Sequence, residues 1–369
     1  MIDGAIKQII NDLKFETTSS YGERLQPNPD YDSIPFTKDN FYEFNGNPNQ
    51  RKIAFIDGGT QKLFQTPTLS ILLNRVYYNV YKGVERIKKL NYSFDFFSVT
   101  TAKLINNNPL YRTKLYPITS DKITFFPNNS DVIEFEPRSE MKENDETILD
   151  IDRVSPIARR FGEWAISSHV LQELNEGDLI VMDGTLKSSF PSESSYTGSL
   201  FSKSQSKGVI YCGLAKSSGL LTDRGYPLLS TLKKLSIQSD IKPPWYYHPV
   251  ARSKSPTHAA DLLIVKLSKY SKRIFRLDIQ SKSFKNLSIK ELHEIMSQLS
   301  YNSSDVSFPG YPYGLIDADL NARVKYNEIE KYQTHLSMEM SKKEYWQDFL
   351  DDIQSIDAHG ILNFLSRGN

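Results

Sequence analysis

The chain has 369 residues, of which 39% are hydrophobic and 24% charged, and its formal net charge at pH 7 is +1. This composition is typical of a globular protein with a sizeable core, built as one large α/β domain with insertions or as two modest domains. No apolar run approaches the roughly 20 residues of a membrane span, and the single cysteine excludes an intrachain disulfide framework. We therefore expect a soluble, cytoplasmic protein that has no signal peptide and does not bind membranes.

The first hundred residues predict a helix, a loop and three strands. Residues 1–15 are amphipathic and favour a helix, whereas residues 16–50 are rich in Pro, Asn, Asp and Ser and favour a loop that wraps the surface. Strand-forming residues then dominate 52–57, 68–81 and 92–100. Three consecutive strands with short links predict an antiparallel meander.

At two places in the chain an apolar run ends in an aspartate followed by a glycine. Asp57 does so in KIAFIDGGT and Asp183 in DLIVMDGTL. The glycine allows a sharp turn, so each aspartate lies where side chains leave a sheet. An aspartate in this position is more often only a turn former, and it is the pairing of the two segments that favours a functional site.

A helical apolar spacing over residues 155–171 places Glu163 beside the apolar stripe. Glu163 is therefore able to lie next to the sheet without entering the core. The alternative is an ordinary helix acid paired with Arg159 or Arg160, one turn earlier. Its place in the order of elements, between the two aspartate strands, favours the functional interpretation.

Charge is segregated along the chain. Acidic residues dominate 131–152, within a segment of about 101–152 that we interpret as an insertion. Residues 251–290 carry ten Lys and Arg residues against two aspartates, which predicts a surface for a polyanion, with a simple solvated surface as the alternative. The candidate DNA contacts in that stretch are Lys266, Lys272, Arg273 and Arg276.

The second half of the chain predicts further loops, strands and helices. Residues 187–207 are rich in serine and favour a mobile loop facing the substrate. Lys216 follows the next strand and is a candidate phosphate contact, although a surface lysine is the simpler interpretation. The remaining predicted elements are a strand over 208–215, a helix over 227–235, a hairpin of strands 261–267 and 273–279, and helices from about residue 288.

Three meander strands, a helix with Glu163 and a strand with Asp183 follow the order of a ribonuclease-H-like α/β fold, a mixed sheet flanked by helices. In that fold a late helix supplies a fourth acid, for which GYPYGLIDADLNARV offers Asp319, or Asp317 instead. Clustered carboxylates bind divalent metal ions, and two ions can hold both the attacking and the leaving oxygen of a phosphodiester. Oxygen ligands favour Mg²⁺ or Mn²⁺ over zinc.

Together these segments resemble the NurA nucleases, archaeal and bacterial partners of HerA-type hexameric ATPases. The resemblance runs from KIAFIDGGT through RRFGEWAIS, LIVMDGTLKSS and GLAKSSG to FRLDIQ and GYPYGLIDADLNARV. It implies that Asp57, Glu163 and Asp183 are metal-binding carboxylates. Asp319 stands where the family pattern has a histidine, a departure that keeps a side chain able to bind metal.

The resemblance further implies a DNA nuclease with two Mn²⁺ or Mg²⁺ ions. Its expected activities are 5′–3′ exonuclease and single-strand endonuclease cleavage, in DNA-end resection with the hexameric ATPase, and a homodimer is expected. The nuclease domain would cover residues 51–330, between an N-terminal helix and loop over 1–50 and a C-terminal helical segment over 331–369.

Two other classes of function stay open at this point. One is a nucleotide-dependent phosphotransferase of the actin or sugar-kinase type, in which both Asp-Gly turns would hold phosphate through backbone N–H groups. Against it, the late part of the chain has no adenosine-binding glycine pair. The other is a catalytically silent DNA clamp or adaptor, in which the aspartates are only turn formers.

Overall fold

The computed structural model describes residues 2–16, 21–45, 51–106, 108–118, 132–135, 151–190, 193–255 and 257–356. The strands in these residues are β1 (Tyr31–Ser33), β2 (Phe41–Glu43), β3 (Lys52–Gln65), β4 (Leu69–Lys82), β5 (Glu85–Ile105), β6 (Asn108–Pro117), β7 (Val132–Phe135), β8 (Leu179–Asp183), β9 (Ile210–Ala215), β10 (Trp245–Tyr247), β11 (Ala251–Ser253), β12 (Ala260–Lys266) and β13 (Phe275–Gln280). The α-helices are α1 (Ile2–Glu16), α2 (Ile151–Val154), α3 (Ile157–Val170), α4 (Glu193–Ser206), α5 (Leu228–Gln238), α6 (Ser281–Lys285), α7 (Ile289–Asn302), α8 (Tyr313–Ala322), α9 (Tyr326–Met340) and α10 (Trp346–Ile356).

The chain forms two compact units. The first unit comprises Met1–Pro48, Gly184–Leu186 and Gly213–Gly310, and the second comprises Asn49–Asp183, Lys187–Cys212 and Tyr311–Asn369. No helix in the part of the chain that the structure describes has both the length and the apolar character needed to cross a bilayer.

The second unit is built on a mixed sheet whose strands lie in the order β8-β3-β4-β5-β6-β7. β3, β4 and β5 are antiparallel neighbours, which confirms the predicted meander, and β8 runs parallel to β3. Three antiparallel strands followed by a parallel fourth strand beside the first give the predicted ribonuclease-H-like order. Of the segment interpreted as an insertion, the described residues of 108–118 and 132–135 form β6 and β7, which continue the sheet.

Helices cover both faces of β3, and its residues Ile53, Ala54, Phe55 and Ile56 have no exposed surface. A Cβ on Gly58 would lie 2.6 Å from Glu163 of α3, and a Cβ on Gly59 would lie 2.2 Å from the carbonyl oxygen of Ala322 of α8. Successive residues of a strand point to opposite faces, so α3 and α8 pack on opposite faces. Both close approaches require glycine, which explains the Gly-Gly pair after Asp57.

The first unit contains an antiparallel sheet in the order β2-β10-β12-β13, and β1 pairs with β11. The predicted hairpin is confirmed by the antiparallel pairing of β12 with β13, and α5 confirms the helix expected over 227–235. A hydrophobic cluster beneath these strands includes Trp245, Tyr247 and Leu232, each with no exposed surface.

The Ser-rich segment differs from its prediction. Instead of a mobile loop over 187–207, the described residues form α4 from Glu193 onward. Glu193 is fully buried, and its carboxylate accepts hydrogen bonds from the backbone N–H groups of Ser189 and Phe190 over 2.6 and 3.0 Å. Leu200 is also buried, so the helix has an apolar face that the serine content of the segment obscures.

Candidate active site

Asp57 and Asp183 lie on adjacent parallel strands of the second unit, Asp57 within β3 and Asp183 as the last residue of β8. Ile56 of β3 pairs with Met182 of β8, and each aspartate is the next residue along its strand. Asp57 is 6% exposed and accepts a hydrogen bond from the N–H of Gly58 over 2.7 Å. Neighbouring strands therefore carry the two aspartates. The expected sharp turn after Asp57 is wrong, because β3 continues through Gly58 and Gly59 to Gln65.

Glu163 lies on the face of β3 that α3 covers, with its carboxylate over Gly58. It is 2% exposed, and burial raises its pKa against the attraction of Arg159 and Arg160, while the charge of Asp183 raises it further. Both arginines that the sequence offered as simple partners do contact Glu163, so pairing and functional placement occur together.

One oxygen of Glu163 stands out chemically. Oε2 is buried and has no hydrogen-bond partner among the described residues, and the Nη1 of Arg160 lies 3.5 Å from it. A buried carboxylate oxygen normally accepts a hydrogen bond or binds a cation. Glu163 therefore keeps an unfilled acceptor inside the candidate site.

Tyr311 is a site residue that sequence reasoning missed. It immediately precedes the Pro312 cap of α8, and its hydroxyl donates a hydrogen bond to Asp183 Oδ1 over 2.9 Å. Burial raises the pKa of Tyr311, and the charges of Asp183, Asp57 and Asp319 raise it further. Tyr311 therefore stays protonated as a donor, and the three acids that act on it share its neighbourhood. The signal in the sequence was the tyrosine of the GYP segment, eight positions before Asp319.

Asp317 and Asp319 of α8 have different surroundings, and the difference favours Asp319 as the candidate site acid. Asp317 Oδ2 accepts hydrogen bonds from Asn79 and Tyr81 over 2.9 and 3.1 Å, and Asn321 binds its Oδ1. Asp317 thus anchors α8 to β4. Asp319 has Arg323 as a partner over 2.9 Å, is 28% exposed, and is the acid of the two that acts on Tyr311.

The donor set fits a hard divalent cation in its chemistry. Asp57, Glu163, Asp183 and Asp319 offer only oxygen, and Glu163 Oε2 is an unfilled buried acceptor. Within the described ranges, however, no three His, Cys, Asp or Glu side chains are already grouped closely enough to hold a metal ion. Arg159 is hydrogen-bonded to Glu163 Oε1, so a cation at this carboxylate would have to displace a guanidinium.

The predicted cationic contacts lie in the first unit and divide into exposed and buried residues. Lys272 and Arg273, on the loop between β12 and β13, are exposed, and Lys266 at the end of β12 is half-buried. Lys216, directly after β9, is also exposed. Arg276 is different because it is 6% exposed, so we leave it out of any DNA-binding surface.

Arg276 belongs to a buried polar network centred on Asp278. The carboxylate of Asp278 accepts hydrogen bonds from Arg276 Nε and His258 Nε2, both over 2.8 Å, and from the Leu186 N–H over 3.0 Å. Tyr31 completes the network, since its hydroxyl lies 3.1 Å from His258 Nδ1 and 3.0 Å from Arg276 Nη2. The sequence marks Arg276 only as part of a basic stretch.

The strand order, the aspartates of two adjacent strands and the buried glutamate of α3 define a ribonuclease-H-like α/β protein with acidic side chains on β3, β8 and α3. The sequence model of the NurA domain matches residues 51–324 of this chain. The chain belongs to the NurA family.

Solved structures extend the comparison. The crystal structure of the NurA nuclease from Sulfolobus solfataricus is similar to this chain with a TM-score of 0.50 and 14% identity, over 94% of this chain and 96% of that one. This likeness shows a shared fold. The structure of Aquifex aeolicus Argonaute has a TM-score of 0.28 and 10% identity over 76% of this chain and 29% of that one, which is too weak to bear on the fold. No curated protein matches the sequence.

Proposed function

We propose that this chain is a metal-dependent DNA nuclease that hydrolyses phosphodiester bonds. The observation that carries the proposal is the buried Glu163 carboxylate, which has an unfilled oxygen and lies over Gly58, the residue after Asp57 in β3. Membership of the NurA family and the fold shared with the Sulfolobus NurA nuclease support it. In the alternative phosphotransferase, backbone N–H groups of the Asp-Gly turns would hold phosphate, and Glu163 would have no role.

Each residue has a role in this proposal. Asp57, Glu163, Asp183 and Asp319 would hold two Mn²⁺ or Mg²⁺ ions. Such ions activate water as a nucleophile and stabilise the charge that develops on phosphate oxygens. Tyr311 orients Asp183 by donating a hydrogen bond to its Oδ1.

The DNA backbone would be bound by exposed cations of the first unit. Lys272 and Arg273 lead this set, with Lys266 and Lys216 as further candidates. Phosphate contacts carry no base information, so binding would depend strongly on salt and weakly on sequence.

The biological setting is proposed from family membership. We propose that the protein acts in the cytoplasm, in DNA-end resection, as a homodimer and as the partner of a HerA-type hexameric ATPase, with 5′–3′ exonuclease and single-strand endonuclease activities. Light scattering coupled to size-exclusion chromatography tests the dimer, and co-elution with a HerA-type ATPase tests the partner. A monomer mass at working concentration would count against the dimer.

The proposal is tested by cleavage of labelled single- and double-stranded DNA in Mn²⁺, Mg²⁺ or EDTA. We expect metal-dependent cleavage that Asp57→Asn and Asp183→Asn abolish while DNA binding remains. The control is Asp152→Asn, since Asp152 is an exposed acid of the same unit that pairs with Lys62. Binding without cleavage under any metal, with or without the ATPase, would instead indicate a silent clamp.

A further inference from the structure

Two consecutive arginines of α3 flank Glu163, and their surroundings differ. Arg160 is enclosed, because its Nε donates to Glu193 Oε1 over 2.9 Å and its guanidinium lies 4.5 Å from the ring of Trp164. Trp164 Nε1 donates to the same Glu193 oxygen over 2.7 Å. Arg160 is therefore held on several sides by packed interior groups.

Arg159 is held mainly through the carboxylate itself. Its side chain is 30% exposed, and its Nη1 is hydrogen-bonded to Glu163 Oε1 and to the carbonyl oxygen of Gly58, the latter over 3.4 Å. Its stem passes close to the backbone there, since a Cβ on Gly58 would lie 3.0 Å from Arg159 Cγ. The guanidinium thus lies between a buried carboxylate and solvent, beside the residue that follows Asp57.

This contact joins two groups that the proposed function would separate. A cation that binds Glu163 competes with the guanidinium for the carboxylate oxygens. Arg159 keeps its charge at any physiological pH, so once displaced it requires another anion. In a DNA nuclease the anion that arrives at the site is a backbone phosphate, which a guanidinium can bind through two parallel hydrogen bonds.

We propose that Arg159 is a phosphate-binding residue of the active site, and that Glu163 keeps it from DNA until that carboxylate is occupied or neutralised. The inference rests on the proposed function. In the free protein Arg159 partly neutralises a carboxylate whose burial would otherwise be unfavourable. In the loaded protein the same side chain contacts the DNA strand next to the carboxylates.

Equilibrium DNA binding in EDTA tests the inference without relying on cleavage. The proteins are the wild type, Arg159→Met, Glu163→Gln and the double variant, and the readout is fluorescence anisotropy of a labelled single-stranded oligonucleotide at fixed low salt. Arg153→Met, combined with Glu163→Gln in the same way, is the matched control, because Arg153 is an exposed arginine of the neighbouring helix α2. Thermal melting of each variant verifies folding, and Arg159→Lys retains the charge if the methionine variant is unstable.

We expect Glu163→Gln to tighten DNA binding by about tenfold when Arg159 is present, the size of one charge-assisted hydrogen-bonded contact. In the Arg159→Met background, Glu163→Gln should tighten DNA binding clearly less, because there it removes a negative charge but releases no arginine. In the Arg153→Met background the full effect should persist. Arg159→Lys should retain part of it.

Three other outcomes would contradict the inference about Arg159, the proposed nuclease function, or both. Equal effects of Glu163→Gln with and without Arg159 overturn the inference, even if the wild type cleaves DNA with metal. Coupling between Arg159 and Glu163 in a protein that never cleaves DNA overturns the proposed nuclease while leaving the DNA contact. Absence of DNA binding in both the wild type and Glu163→Gln overturns both proposals.

Discussion

The two units each bury a carboxylate beside arginine, and the two carboxylates differ in how completely they are bonded. Asp278 in the first unit accepts hydrogen bonds from Arg276, His258 and the Leu186 backbone, so both of its oxygens are used. Glu163 in the second unit is equally buried, yet its Oε2 has no hydrogen-bond partner within the described ranges.

This difference separates a structural ion pair from a binding site. A buried carboxylate with all its bonds made stabilises one arrangement of the chain and has no capacity for a ligand. A buried carboxylate with an unfilled oxygen is unfavourable for the free protein and becomes favourable when a cation arrives. The pKa values agree, since that of Asp278 is lowered to about 2 while that of Glu163 is raised.

The largest effect is expected from neutralising Glu163. Glu163→Gln should lower metal-dependent cleavage by about a thousandfold, or roughly 4 kcal/mol. The free energy of unfolding in EDTA should not fall, because burial outweighs the attraction of Arg159 and Arg160. The charged form of this side chain is therefore less favourable in the folded protein than in the unfolded chain. Cleavage assays and urea unfolding at pH 8 measure the two quantities. Wild-type cleavage together with a large loss of stability would reverse the assignment of the two carboxylates.

Asp278→Asn should have the opposite signature. Removing this charge leaves Arg276 buried without its partner, which should lower the free energy of unfolding by roughly 3–5 kcal/mol. Urea denaturation in EDTA measures the loss. The control is Asp261→Asn in the same hairpin, since Asp261 is 29% exposed and its pair with His248 spans 3.8 Å, so less than about 1 kcal/mol is expected. An Asp278→Asn protein as stable as the wild type would remove the structural role.

Added metal should stabilise the second unit through its carboxylates and leave the Asp278 network unaffected. Mn²⁺ at about a hundred times its dissociation constant should raise the free energy of unfolding by about 2.7 kcal/mol. The rise should persist in Asp278→Asn and vanish in Asp57→Asn. Thermal melts with and without Mn²⁺ measure it, and a rise that survives Asp57→Asn would place the metal elsewhere.

Acid should weaken the first unit at a defined pH. Burial alone would raise the pKa of Asp278, but Arg276 and His258 overcome it and lower the pKa from 3.8 to about 2. Because the folded pKa is the lower one, this stabilisation is present above about pH 4 and is lost as the pH falls towards 2, in total roughly 2 kcal/mol. Unfolding measured from pH 5 to pH 2 should therefore have a shallower slope in Asp278→Asn than in the wild type.

The smallest effect is expected from Arg273→Ala, which is compared with Arg276→Ala in the same hairpin. Arg273→Ala should reduce the slope of log K against log salt for DNA binding by about one and leave the free energy of unfolding within about 0.5 kcal/mol. Arg276→Ala should lower stability through Asp278. Fluorescence anisotropy over a salt series measures the slope, and an unchanged slope for Arg273→Ala would remove it from the DNA surface. Lys342→Ala serves as an exposed control in the other unit.

The sequence predicted the elements that follow from periodicity and order. The strands β3 and β8 were predicted from their apolar runs, and α3 was predicted from its helical apolar spacing. Both patterns depend only on residues that are close together in the chain. The late acid could be narrowed only to Asp317 or Asp319, since the hydrogen bonds that anchor Asp317 come from β4, more than two hundred residues away.

What the sequence could not predict depends on burial and on distant partners. In the sequence, Arg276 and Arg273 look alike, since both belong to the same basic stretch. In the fold, the side chain of Arg276 on β13 is buried and donates a hydrogen bond to Asp278. Tyr311 gives no signal as a site residue until the fold places its hydroxyl against Asp183. The helix α4 was missed because serines obscure an apolar face, and Glu193, which holds its start, looks like any surface acid.

The close packing of α8 on β3 has a consequence for synthesis. A Cβ on Gly314 would lie 2.0 Å from the ring of Phe55, so this helix seats in one position. A chain still on the ribosome contains Asp57, Glu163 and Asp183 well before Tyr311 and Asp319 have been added. If the proposed site is the nuclease centre, copies that stop before Tyr311 lack an intact catalytic centre.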